Sequence, residues 1–282
     1  MVVKIENSSF RDPSGFVFYE EKVCYRQVNF GYKENYDELM KSGLYKKLVD
    51  EGLLIPHEEK LLDSLSASNA YKIIRPKRIP FISYPYEWCF SQLKKAALAT
   101  LNILKHSLNH EMVLKDANAF NIQFHQGNPV LIDTLSFEKY HVGRPWVAYK
   151  QFCEHFLGPL ALMSLRDIRL GRLLQEYING IPLDLVSSLL PKKTYLSFNL
   201  MIHIHLHARY QKKYSGNPSE KIGEKPMSLK SIFGFIDILE SAVKQLNWST
   251  KGNTWADYYQ KCDHVPEFIQ EKIKLVENFL DI

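Results

Sequence analysis

The spacing of apolar positions changes character about a third of the way along the chain. Before that point it favours strands. Ser14-Gly15 is a turn signal, and Phe16-Val17-Phe18-Tyr19 and Val23 to Val28 flank the polar Glu20-Glu21-Lys22, which predicts a hairpin. Over residues 36–51, Tyr36, Leu39, Met40, Leu44 and Leu48 recur at helical spacing, with Gly43 as a weak point inside the helix. Tyr71 to Ile74 and Pro80 to Tyr84 read as two further strands joined by a Pro-rich turn.

From Glu87 to about Ser107 the period becomes helical. Leu93, Ala97, Leu101, Leu104 and Leu108 form one stripe of a long amphipathic helix. Short apolar runs follow at Met112-Val113-Leu114, Ile122-Gln123-Phe124 and Pro129 to Ile132. The last two flank Gln126-Gly127-Asn128 and predict a second hairpin. Beyond about residue 145 the chain reads as helices over 146–172, 182–190 and 196–214, the first broken or kinked at Gly158-Pro159. Residues 214–227, with Gly216, Pro218, Gly223 and Pro226, read as a surface loop. Ser228 caps a helix running to Leu246, and Pro266 sits in the first turn of a last helix ending at Leu280. The expected class is therefore α+β: a β-rich part over 1–86, then a larger, mainly helical part over 87–282 that carries the hairpin at 112–133.

Composition narrows this picture without changing it. The chain has 282 residues, 45% of them hydrophobic and 24% charged, which is globular composition with a real core. The formal net charge of +5 is scattered rather than blocked, so an anionic ligand is tolerated and nucleic acid is not expected. Cys24, Cys89, Cys153 and Cys262 are far apart with no CxxC, a pattern suited to a reducing compartment and to no zinc knuckle. No apolar run approaches the roughly 20 residues of a membrane span, and the first residues lack the apolar core of a secretory signal. A cytoplasmic protein is the expectation.

Chemistry concentrates in Leu114-Lys115-Asp116-Ala117-Asn118-Ala119-Phe120-Asn121 and Val130-Leu131-Ile132-Asp133. The hairpin between Asn121 and Asp133 folds back on itself and brings both residues to one place. Two hard oxygen donors there suit Mg²⁺ held together with substrate phosphates. Asp116 stands beside them, free to accept a hydroxyl proton or orient a nucleophile. Turn chemistry alone would account for Asp116 and Asn121. It accounts less well for an acid that ends an apolar strand, as Asp133 does.

Asp-x-x-x-x-Asn, a short hairpin and an apolar strand ending in Asp resemble the catalytic loop and metal-binding Asp of the protein-kinase-like superfamily. They look closest to its atypical branch of aminoglycoside and other small-molecule kinases. The resemblance implies a two-lobed fold that binds ATP and Mg²⁺, with Asp116 as catalytic Asp and Asn121 and Asp133 as metal ligands. It implies a phosphate-contacting base, for which Lys72 and Arg26 are the candidates, with Glu34 or Glu38 as its acidic partner. Gly15 would be the single glycine of the phosphate loop. The aromatic hinge over 81–88, with Tyr84 and Tyr86, would line an adenine slot or simply pack between lobes. Leu114-Lys115 stands where His-Arg is usual, and Thr134-Leu135 where Phe-Gly is. Over a longer span, FRDPSGFVF, IRPKRIPFISYPYEW, LKDANAFNIQF, VLIDTLSFE and IHIHLHAR resemble the N-terminal region of bacterial class I SAM-dependent methyltransferases, some of nodulation type. That implies a methyltransferase domain or protein as partner, while no Gly-rich SAM signature occurs in this sequence.

Three functions follow as expectations: phosphoryl transfer to a hydroxyl of a small molecule or sugar, a non-catalytic kinase-like binding module, and AMP transfer on the same fold. Elsewhere, His203, His205 and His207 read better as packed helical histidines than as a zinc site. Arg166, Arg169 and Arg172 read as a solvated basic face. Glu138 reads as an exposed acid or an assistant to the site.

Overall fold

Alternation builds the sheet. β1 (Val3–Ile5), β2 (Gly15–Glu20) and β3 (Val23–Asn29) are antiparallel neighbours. Glu21 and Lys22 take positive φ (47° and 72°), the two-residue turn whose twist matches a hairpin. This is the computed structural model of the chain, and it describes residues 3–6, 9, 12–60, 69–214, 227–249 and 265–280. The expected helix over 36–51 is two helices, α1 (Lys33–Lys41) and α2 (Leu44–Asp50). Gly43 separates them at φ 81°, a left-handed conformation that glycine adopts without cost.

β4 (His57–Lys60) and β5 (Ala70–Pro76) complete a five-stranded antiparallel sheet in the order β1-β2-β3-β5-β4. β4 is a charged edge strand, Glu58-Glu59-Lys60, and its sequence shows no apolar alternation. Residues 80–84 are not a strand. Pro80 removes a ladder donor there, and the chain runs irregularly into a 3₁₀ turn at Pro85–Glu87.

α3 (Phe90–Asn109) is the expected long helix, with Leu93, Ala97, Leu101, Leu104 and Leu108 all buried on one stripe. β6 (Met112–Leu114) follows. β7 (Ile122–His125) and β8 (Asn128–Leu131) form the expected second hairpin, and β9 (Phe137–Lys139) pairs back onto β6. The segment after α2 is stitched to β8: Ile55 N–H donates to Leu131 C=O (2.9 Å) and Leu131 N–H to Leu53 C=O (2.8 Å). Those bonds tie the sheet region to the hairpin.

The remaining helices are more broken than the apolar pattern predicts. α4 (Tyr149–Phe152) passes through a π-helical turn at Cys153–Leu157 into α5 (Gly158–Leu165), so the chain stays helical across Gly158-Pro159. Widening the turn there accommodates a residue that has no N–H to give. Ile168–Arg172 is a short 3₁₀ turn rather than part of a long helix; Arg166, Arg169 and Arg172 are all exposed, as expected, and Arg169 clamps Asp167 at 2.6 Å. α6 (Leu173–Glu176), α7 (Leu183–Leu189) and α8 (Phe198–Leu200) follow. A second π-helical turn, Met201–Leu206, leads into α9 (His207–Tyr214). α10 (Leu229–Gln245) is capped by Ser228, whose Oγ accepts the Ser231 N–H, as expected. α11 (Val265–Leu280) is the last helix.

The architecture is α+β, with the sheet first and the larger, mainly helical portion after it. Met1–Leu246 is one compact unit and Asn247–Ile282 a second. No helix among the described residues is long and apolar enough to cross a membrane. The expected loop over 214–227 falls mostly outside the described residues, as does Cys262.

Candidate functional site

The loop over 115–121 leaves β6 and is held at both ends. Lys115 N–H donates to Ser136 C=O (2.8 Å), anchoring the start. Asn118 Oδ1 accepts the Phe120 N–H (3.0 Å) and caps a 3₁₀ turn over Ala119–Asn121. At the far end, Ile132 N–H donates to Asn121 C=O (2.8 Å). The hairpin β7–β8 thus joins Asn121 to the residue before Asp133, as its sequence predicts. Asp133 Oδ1 accepts the Leu135 N–H (2.8 Å). Asp116 Oδ1 accepts two bonds, from Asn118 N–H (3.0 Å) and from Gln151 Nε2 (2.8 Å).

The sheet faces this loop with an arginine. On β3, Arg26 places Nη1 2.7 Å from Asp133 Oδ1 and Nη2 2.8 Å from Asp12 Oδ2, with only 14% of its side chain exposed. Lys72 lies on the same sheet face, because Arg26 pairs with Ile74 and Val28 with Lys72 in the β3–β5 ladder. It is not brought to the site: Glu59 on β4 takes it at 2.5 Å. Neither Glu34 nor Glu38 pairs with Arg26 or Lys72; the ion pair on that helix is Lys33–Asp37.

Gly15 is where β2 closes over the segment after Asp133. A Cβ there would fall 2.0 Å from Gln27 O and 2.9 Å from Leu135 Cδ1, so no side chain fits. Beside it, Lys115 Nζ donates to Ser14 Oγ (3.0 Å) and lies 4.8 Å from the Tyr32 ring centre. Tyr32 donates to Phe137 C=O. Burial, and then the Asp133 carboxylate, push its phenol above the ordinary range. Asp12, Ser14, Tyr32, Lys115 and Gln151 therefore join the site. For Asp12 and Ser14 the signal was the turn Asp12-Pro13-Ser14-Gly15. For Lys115 it was a cation in place of the usual Arg. Gln151 carries no local signal at all.

At the hinge, the Tyr84 and Tyr86 rings stack at 5.4 Å and 8°, and Phe120 of the loop lies 6.4 Å from each. Gln123 ties this segment to β7, accepting the Ser83 N–H and donating to the Ser83 C=O, both at 3.0 Å.

Among the described residues no group of three or more His, Cys, Asp and Glu is placed to hold a metal ion. Asn121 and Asp133 are a two-donor set that a Mg²⁺ ion completes with phosphate oxygens and water. The residues fit such a group on one further observation. Asn121 Nδ2 and Arg26 Nε, both in this cluster, are buried donors without an acceptor. Buried donors of that kind are costly unless something else supplies the acceptor, and phosphate oxygens are acceptors.

The histidines are packed against aromatic rings; His205 has both ring nitrogens bonded, whereas His203 Nε2 and His207 Nδ1 are buried without a hydrogen-bond partner. His205 bonds Ser187 Oγ (2.7 Å) and Thr194 Oγ1 (2.8 Å) and stacks on Tyr195, and His203 Nδ1 bonds the Tyr149 hydroxyl (2.9 Å). Glu138 sits on β9 opposite Val113.

Fold and site together define an α+β protein in which an acidic loop and hairpin meet an arginine from the sheet. No family model matches the chain. It is 34% identical over 218 residues to nodulation protein NoeA of Rhizobium meliloti (strain 1021), covering 77% of this chain and 45% of that protein. The chain thus spans less than half the length of that curated relative. A solved structure of vaccinia related kinase 3 overlays on 87% of each chain at 12% identity and a TM-score of 0.37.

Proposed function

We propose that the site binds Mg·ATP and transfers its terminal phosphoryl group to a hydroxyl of a small molecule or sugar. What supports this reading is the ion pair between Arg26 of the sheet and Asp133 after the hairpin, beside the Ile132–Asn121 bond that closes the end of the loop carrying Asp116. The acceptor oxygen forms its bond to the terminal phosphorus while the bond to the ADP oxygen breaks. Asp116 orients that hydroxyl and takes its proton. Asn121 and Asp133 are the residues that would hold Mg²⁺, which neutralises developing phosphate charge when bound. Arg26 exchanges its carboxylate partners for phosphate oxygens, a bidentate match for which guanidinium is shaped. Gly15 lets β2 pack against Gln27 and Leu135 next to Ser14 and Lys115, and Tyr84 and Tyr86 offer a wall for adenine.

Thermal unfolding with and without Mg·ATP tests the reading. A ligand at about 100 times its Kd adds about 2.7 kcal/mol, which moves the midpoint of a chain this size by roughly 2–4 °C. The expected result is a Mg²⁺-dependent shift in the wild type that is lost in Asp133→Ala. No shift in a cooperatively unfolding wild type overturns it.

A second reading is favoured by one observation: Arg26 already neutralises Asp133. A non-catalytic module would keep that pair and bind a substrate or partner for a SAM-dependent methyltransferase, a domain that the residue-level resemblance implies. AMP transfer uses the same carboxylates, and the mass added to the acceptor separates it from phosphorylation.

A further inference from the structure

We propose that Gln151 is the positioning residue of Asp116. The assignment rests on the phosphoryl-transfer reading. A glutamine carboxamide has one acceptor oxygen and one donor nitrogen group, and Gln151 uses both on the same loop. Oε1 accepts the Ala117 N–H at 2.7 Å, and Nε2 donates to Asp116 Oδ1 at 2.8 Å. Asn118 N–H donates to that same oxygen at 3.0 Å. Oδ1 therefore carries two donors and is fixed in place, and the proton of an acceptor hydroxyl falls to Oδ2.

Turn chemistry does not explain this arrangement. An aspartate in a turn accepts the N–H two residues on, which Asn118 supplies. Gln151 is 35 residues away in sequence, on α4, and adds a second donor to a carboxylate already satisfied locally. The helix that carries it grips the loop again. The π-helical turn after α4 places His155 edge-on to Phe120, with ring centres 6.3 Å apart at 85°. One helix thus touches the loop at 116–117 and at 120, the two places that set the directions of Asp116 and Asn121. A fixed carboxylate matters because a misplacement of about 1 Å costs on the order of a hundredfold in rate.

Mg·ATP hydrolysis, with water as the acceptor, tests the role through kcat and KM. Gln151→Glu keeps an acceptor for the Ala117 N–H but turns the Asp116 contact from donation into repulsion. Gln151→Leu removes both bonds. The expected result for Gln151→Glu is a kcat lower by about tenfold or more, with KM for Mg·ATP within about twofold and the Ala117 amide still protected from hydrogen exchange. Gln151→Leu loses kcat to a similar degree and its Ala117 amide exchanges faster. Wild-type kcat in Gln151→Glu overturns the assignment and leaves the phosphoryl-transfer reading standing. A rise in KM with kcat unchanged also overturns it, as does failure of both variants to fold, which assigns Gln151 to the scaffold. A wild type that neither binds nor hydrolyses Mg·ATP overturns the phosphoryl-transfer reading and this assignment with it.

Discussion

Arg26 holds Asp12 and Asp133 at once, so its loss leaves two largely enclosed carboxylates without a cation. Arg26→Met is expected to lower stability by about 1–3 kcal/mol and to remove the Mg·ATP shift. A shift that survives would move the phosphate contact to Lys115. Gly15 is constrained by backbone rather than by φ. An added methyl group at 2.0 Å from Gln27 O has no flexible neighbour to displace. Gly15→Ala is expected to cost about 1–3 kcal/mol, read as a lower urea midpoint; an unchanged midpoint would mean that β2 and β3 part freely. Residue chemistry was partly legible in the sequence. Asn121 and Asp133 are close in the chain, and the hairpin between them brings their backbones together as local reasoning expects. The choice between Arg26 and Lys72 was not legible, because strand alternation puts both on one face. Glu59 on an unforeseen strand decides it. Gln151 reaches Asp116 only through tertiary structure.

Elements with a strong internal period were read correctly, and those stabilised from outside were not. The α3 stripe is apolar at helical spacing and lies at the centre of the buried core. Leu101 on it is fully buried, and Leu101→Ala is expected to cost about 2–5 kcal/mol in urea or thermal unfolding, with the upper end marking a cavity that cannot collapse. β4 escaped notice because it is paired by backbone and cross-strand charges, with Glu58 to Arg75 and Glu59 to Lys72 both at 2.5 Å. Propensity does not show such a strand, since the ladder partner supplies its reason to be extended. The two π-helical turns escaped for another reason. A period of about 3.6 residues is indistinguishable over one turn from the wider period that follows it. Their buried side chains include the polar His155, His203 and His205 beside apolar neighbours such as Phe156 and Ile204.

At the scale of the whole molecule, the order of sheet before helices was legible because strand-like runs dominate before the long helix and helical spacing dominates beyond about residue 145. The ties between the parts were not, since Leu53, Ile55 and Leu131 bond through backbone groups that no side-chain pattern reveals. Those buried π-turn histidines also set how the molecule responds to acid. Burial drives His155 down to about 4 from an ordinary value near 6.5, against an opposing backbone contact with Asn179. Burial and then the neighbouring His207 take His203 to about 4 as well. Both are neutral in the folded protein across the window in which the unfolded chain becomes protonated. Between those two values the unfolded state binds more protons, so stability rises with pH there and falls as pH drops from about 6.5 toward 4. Each histidine contributes a loss of about 2 kcal/mol by pH 5 relative to pH 7.5. Urea midpoints at the two pH values measure the sum. In His155→Gln the side chain has no proton to gain, so the difference between the two pH values is expected to shrink by His155's own share, about 2 kcal/mol, while His57, also lowered to about 4 by burial, and His203 keep theirs. An unchanged difference would show that His155 is already reached by protons in the folded state, and that the π-helical turn opens to solvent without unfolding the molecule.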